Sequence, residues 1–299
     1  MNVTLSILQK RYPLVAFFLL AFTISWAIEI PIALSVRNAI SFDVPLAMHY
    51  LASFGPFLAA LVVTLGTEGF AGVRRLFNGL AKWRIGRGYV LFAILAPPFL
   101  FAVAVLFSRI TQGGWPDLRL LGQADYLPYL GVLPVLILWL LTFGFGEEMG
   151  WRGFALPRLQ ANRSAYSASL ILGLLWALWH VPAFFYRDTY VAMGLLLPLM
   201  LISVLAASVE HTWLYNGSGG SLLMVILFHG LFDFFSVSSA GGASAAIIMS
   251  AAIVFWAVRV WKVYGPANLA PIEKVTVYAR VSRPSTDVDA IESGLTPQG

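Results

Sequence analysis

Cysteine is absent from all 299 residues, which excludes disulfides, thiol nucleophiles and cysteine metal ligands together. Charge is scarce as well: 11% of residues are charged against 59% apolar, and the mean hydropathy is +0.81. No water-soluble fold of this length buries so much apolar side chain, so the solvent for most of the chain is lipid. The helical zinc spacing H-E-x-x-H is missing. So are internal repeats, low-complexity stretches and the paired broken segments of an inverted-repeat transporter. The formal net charge of +5 would suggest nucleic acid in a soluble protein. Here the basic residues gather between apolar runs, where they set topology and meet anionic headgroups, so the expected partner is the lipid bilayer and not nucleic acid.

What is present is a succession of apolar runs. At about 20 residues per crossing, the chain divides into eight spans, near 13–36, 44–66, 89–110, 128–154, 165–187, 190–211, 219–238 and 241–262. This predicts an all-α polytopic transmembrane helix bundle. The first run is too long for a signal-peptide core and is expected to stay as a helix. Three parts follow: residues 1–127 with the first spans, 128–262 with most of the buried ionisable residues, and a polar tail over 263–299 expected to lack order. Lys10 and Arg11, the group Arg74, Arg75, Lys82, Arg84 and Arg87, the pair Arg158 and Arg163, and Arg259 with Lys262 all fall on one side of eight crossings. The positive-inside rule then makes both termini cytoplasmic, and the expected setting is a bacterial plasma membrane. Phe70 to Tyr89 mixes apolar and basic residues in a way that suits an interfacial helix or a solvated basic loop.

Ionisable residues within those runs single out one region. Gly146-Glu147-Glu148-Met149-Gly150-Trp151-Arg152 closes the fourth run, His180 lies in the fifth, and His229 with Asp233 lies in the seventh. Each such group costs about 2.5–3.5 kcal/mol on insertion scales, so they persist where they have a task. Glu148 and Arg152 are four apart and share a helix face; Glu147 points about 100° away and serves other surroundings. Trp176 and His180, and His229 and Asp233, are spaced the same way. Counting about 1.5 Å per residue from the nearest turns, Glu147, His180 and His229 lie within about two helical turns of one depth. A carboxylate and an imidazole around one water suffice for hydrolysis, and a second imidazole can meet a developing oxyanion. The same groups also suit a divalent metal such as zinc with an open water position. His211 and Glu210 read as interfacial, His49 as a lone polar group, and Glu29 as a packing contact or cavity lining.

Glu147-Glu148-x-x-x-Arg152, Trp176-x-x-x-His180 and His229-x-x-x-Asp233, in that order, resemble the three motifs of the CAAX protease and bacteriocin-processing family, which includes the prenyl-protein endopeptidases and Abi-type membrane proteins. Trp151-Arg152-Gly153-Phe154 and Thr212-Trp213-Leu214-Tyr215-Asn216 add to the likeness, which covers about 145 to 235. The resemblance implies an intramembrane endopeptidase acting on a membrane-associated or prenylated-like protein or peptide. Glu147 would activate water with His180, His229 and Asp233 would stabilise the oxyanion, and Glu148 and Arg152 would support them. If a metal is used, Glu147, His180, His229 and Asp233 are its expected ligands. Two departures stand out: Asp233 replaces the Asn of the prenyl proteases, and Trp176 stands where Phe is common, a change expected to be steric. The alternatives are a non-catalytic immunity or scaffold protein, and a proton-coupled transporter.

Overall fold

The computed structural model describes residues 11–277, all of whose regular structure is helical. Eight principal helices carry the chain: α1 (Pro13–Val36), α2 (Gly55–Asn78), α3 (Arg87–Gln112), α4 (Val132–Gln160), α5 (Ala165–Trp179), α6 (Leu197–Gly217), α7 (Leu222–Ser236) and α8 (Gly242–Asn268). A 3-10 turn, Val181–Phe185, extends α5 to a membrane-spanning length, and short turns over 46–52 extend α2 in the same way. Six of these rods are long and apolar enough to cross a bilayer; α6 and the shorter apolar α7 complete an integral membrane bundle of about eight spans. Large apolar side chains such as Leu19, Phe99, Ile110 and Phe255 are exposed on its outside.

Lipid supplies no hydrophobic drive between helices, so close packing of small residues must hold them. Ala16 and Ala21 of α1 and Ala59 and Ala60 of α2 are fully enclosed. Gly55 lies so near α1 that a Cβ there would fall 2.1 Å from Ser25 Oγ. Helix α2 bends at Gly69, whose φ of 63° is open to glycine. Beyond the bend Phe70 is exposed, while Glu68 pairs with Arg75 at 2.8 Å and with Arg158 of α4. The helix therefore ends at Asn78, and the following basic stretch is tied to the α6–α7 turn. Lys82 Nζ donates to the Gly219 carbonyl at 2.7 Å, and Ser221 Oγ donates to the Lys82 carbonyl at 2.6 Å.

Past α8, residues 269–277 fold back onto the bundle. Leu269 is fully buried, and the Val275 carbonyl accepts from Gln160 Nε2 at 2.7 Å. Of the polar tail, only residues 278–299 lie outside the described residues, as does Lys10 at the other end.

Candidate active site

Helix α4 is not a uniform rod. It widens into π-helical turns over Leu140–Glu147 and Trp151–Ala155, on either side of Glu148–Gly150. Such bulges re-aim side chains and concentrate at functional sites. Glycine allows neighbouring backbone to approach here: a Cβ on Gly146 would lie 2.8 Å from the Ser53 carbonyl oxygen, and one on Gly150 would lie 2.5–2.6 Å from Pro56.

The two adjacent carboxylates do enter different surroundings. Glu147 Oε2 accepts from Trp176 Nε1 at 2.7 Å and from Trp151 Nε1 at 3.2 Å. Glu148 Oε1 accepts from Arg152 Nη1 at 2.7 Å and from His229 Nδ1 at 2.8 Å, all three side chains being buried. The Arg152 guanidinium also stacks on Trp176, 4.6 Å from its ring centre. His229 turns its other nitrogen, Nε2, toward Asp233 Oδ2 at 3.5 Å, and Asp233 remains 31% exposed.

The end of α5 fixes His180. Pro182 carries no N–H, so the helix tightens into a 3-10 turn, and the His180 backbone N–H bonds to the Ala177 carbonyl at 3.2 Å. That frees the Trp176 carbonyl, which accepts from His180 Nδ1 at 2.8 Å. A carbonyl only accepts, so Nδ1 carries the ring proton and Nε2 keeps its lone pair in the neutral ring. Trp176 thus holds Glu147 through its indole N–H and His180 through its carbonyl. The expectation that Trp for Phe is a steric change fails, because phenylalanine has no N–H to give Glu147.

The Trp176 ring lies 6.0 Å from that of His180 and 5.3 Å from that of His229, its N–H is on Glu147, and Asp233 is beside His229, so the three motifs meet around one indole. The expectation for Glu210 and His211 is corrected: both are buried behind it, not interfacial. The rings of His211 and His229 are 5.2 Å apart, and those of His211 and Trp176 are 5.7 Å apart. His211 Nδ1 donates to the Ala207 carbonyl at 2.7 Å and lies 2.7 Å from Glu210 Oε2 as well. No motif marked these two residues; only their place inside an apolar run signalled burial.

The donors that converge are also not the four expected as metal ligands. Among the described residues, Glu148, His211 and His229 each offer a ligand atom within 4.8 Å of the others. Two imidazoles and a carboxylate match zinc in kind. But Glu148 Oε1 is already held by Arg152 and His229, and the fixed guanidinium opposes a dication at this place.

A second buried polar group adjoins the site. Tyr186 donates to Glu29 Oε1 at 3.0 Å and contacts His49 Nδ1 at 2.7 Å. His49 is therefore not a lone polar group, and Glu29 belongs to a network from three parts of the chain.

Comparison with known proteins agrees with this geometry. Residues 129–235, which contain every motif residue above, match the model of the type II CAAX prenyl endopeptidase Rce1-like family. A CAAX prenyl protease 2 from Methanococcus maripaludis is 35% identical over 169 residues, covering 54% of this chain and 59% of the relative's length. The matched stretch holds the whole of the polar cluster and the helices that carry it. Over residues 129–235 the chain is thus similar to the Rce1-like type II CAAX prenyl endopeptidases, in agreement with its likeness to the CAAX protease and bacteriocin-processing motifs, and it spans 59% of the length of the curated relative it matches.

Proposed function

We propose that this protein is an intramembrane endopeptidase that hydrolyses a peptide bond of a membrane-associated, prenylated-like protein or peptide. The observation that carries this reading is the double use of Trp176, which holds a buried carboxylate and an imidazole beside one another. Glu147 takes the proton of a water through Oε1, the oxygen not engaged by tryptophan. His180 Nε2 accepts from the same water and aims it. The water oxygen bonds to the carbonyl carbon, the carbonyl oxygen becomes the oxyanion, and the C–N bond breaks as Glu147 passes its proton to the leaving nitrogen.

His229, fixed through Nδ1 by Glu148, presents Nε2 beside the place where the oxyanion forms. Donation from Nε2 requires both ring protons, and Glu148 and Asp233 supply the compensating negative charge. This gives Asp233 a role that needs no proton of its own. These steps use the chain's own side chains; among the described residues the donors that converge within 4.8 Å are Glu148, His211 and His229, and Arg152 already occupies Glu148 Oε1. The bias of Lys and Arg between spans supports cytoplasmic termini, with the substrate offered at the membrane surface.

The test is hydrolysis of an S-farnesylated peptide by the purified protein in nanodiscs, run in ¹⁸O-labelled water. The expected result is a single cleavage with one labelled oxygen in the new carboxylate. Uncleaved peptide would sink the reading and favour the structural alternative, in which the same cluster only holds helices together.

A further inference from the structure

The two ends of the bundle differ in charge and in closure. At one end lie the start of α1, the α2–α3, α4–α5 and α6–α7 connections and the segment after α8. At the other lie the α1–α2, α3–α4, α5–α6 and α7–α8 connections. Hydrogen bonds tie each group together. At the first end the Leu222 N–H donates to the Gly79 carbonyl at 2.9 Å, and Lys274 Nζ donates to the Arg163 carbonyl at 2.7 Å. At the second, Arg37 Nε donates to the Phe185 carbonyl at 2.9 Å, and the Tyr50 hydroxyl donates to the Asp125 carbonyl at 2.8 Å.

The first end carries Arg11, the basic residues from Arg74 to Arg87, and Arg158, Arg163, Arg259, Lys262 and Lys274. Among the described residues, the second end carries only Arg37, Arg109, Arg119 and Arg187. A bias of Lys and Arg this large, in short connections, puts the first end in the cytoplasm.

The polar cluster opens at the opposite end. His180 caps α5 and Asp233 lies in the last turn of α7, both remote from the basic end, and both are partly exposed. Tyr190, whose ring is 6.4 Å from that of His180, is partly exposed beside them. Toward the basic end the core is shut: Trp151, Phe154, Leu156 and Leu214 are fully enclosed. Glu147, midway along α4, is therefore approached from the side of His180 and Asp233.

We propose that the site opens on the extracytoplasmic face, so that its substrate is a membrane-associated peptide that has already crossed the bilayer. An export step must then supply the substrate, and the product is released on the outer side. Calling the occupant a substrate rests on the hydrolase reading. The direction of opening is a property of the fold, and it can be read without turnover.

The lack of native cysteine makes the test direct. Single cysteines are introduced as Ser239→Cys in the exposed α7–α8 connection, Asp233→Cys in the site, and Asn162→Cys in the exposed α4–α5 turn. A small, charged thiol reagent that cannot cross lipid is applied to sealed and to lysed bacterial spheroplasts. While sealed, Ser239→Cys and Asp233→Cys should label about tenfold more than Asn162→Cys, and lysis should remove the difference. Tyr190→Cys repeats the reading at the mouth if Asp233→Cys fails to accumulate. The reverse pattern would overturn the proposal, as would equal labelling of both connections in sealed spheroplasts. So would labelling within the site that needs lysis when Ser239→Cys does not.

A farnesylated peptide bearing a sulfonated dye, which keeps it in the outer leaflet, should be cut by the wild-type protein in sealed spheroplasts. Cleavage that requires lysis would overturn the proposal and leave the hydrolase reading intact. Outward labelling with no cleavage in either state would leave this inference standing and sink the hydrolase reading.

Discussion

Two buried polar clusters lie next to each other in this bundle, and they are built in opposite ways. The first, on α4, α5 and α7, uses pairs four residues apart: Glu148 with Arg152, Trp176 with His180, His229 with Asp233. The second joins Glu29 of α1 and His49 before α2 to Tyr186 beyond α5, which lies 157 and 137 residues from them along the chain. In the first cluster Glu147 and Glu148 each receive two N–H donors on one oxygen, which fixes their positions. In the second, Glu29 receives one donor, the Tyr186 hydroxyl; both clusters hold buried atoms without a hydrogen-bond partner among the described residues, Glu148 Oε2, Arg152 Nε and Arg152 Nη2 in the first and Glu29 Oε2 and His49 Nε2 in the second. The difference separates a preorganised reaction centre from a looser wall that shapes its surroundings.

Substitutions can break or sharpen that contrast. Outside the carboxylate pair, the largest effect is expected from His180→Ala, which removes the water's second contact and should lower kcat by about 10²–10⁴-fold, the usual range for a general acid–base group. Product formation by the purified variant, with an unchanged size-exclusion profile, checks it. Next comes Arg152→Met. Removing one partner of a buried ion pair costs about 3–5 kcal/mol, so the variant should show a large fall in Tm and in membrane abundance. A thermal shift of only a degree or two would mean that Glu148 is held by His229 alone.

Trp176→Phe keeps the ring under Arg152 but deletes the N–H to Glu147. A hydrogen bond to a charged group contributes about 1.5–3 kcal/mol, so kcat should fall roughly ten- to hundredfold with KM little changed. Full activity would show that Trp151 positions Glu147 without help. The smallest effect belongs to the second cluster: Tyr186→Phe should cost about 1 kcal/mol of stability and change kcat by less than threefold. A loss as great as that of Trp176→Phe would erase the distinction between the two clusters.

The same contrast explains what was legible beforehand. Apolar run length gave the spans closely, because lipid thickness and helical rise leave little freedom. The four-residue pairs were equally legible, since spacing on one helix dictates proximity. The second cluster was not, because Glu29, His49 and Tyr186 meet only through tertiary packing. Glu210 and His211 looked interfacial for a related reason: a short connection follows them in sequence, and nothing local shows that Trp176 and His229 close over them. The role of the Trp176 indole escaped a comparison of side-chain size, because it resides in one N–H. The extension of α2 past residue 66 was hidden by the basic residues that follow Gly69, whose positive φ lets the chain change direction and continue as helix.

The central claim is that two adjacent, buried carboxylates do different work, Glu147 on the water and Glu148 on the architecture. The most direct measurement compares Glu147→Gln with Glu148→Gln in purified protein, recording both peptide cleavage and Tm. The account predicts no cleavage and a near-native Tm for Glu147→Gln, and a lowered Tm with residual cleavage for Glu148→Gln. Continued cleavage by Glu147→Gln would contradict it.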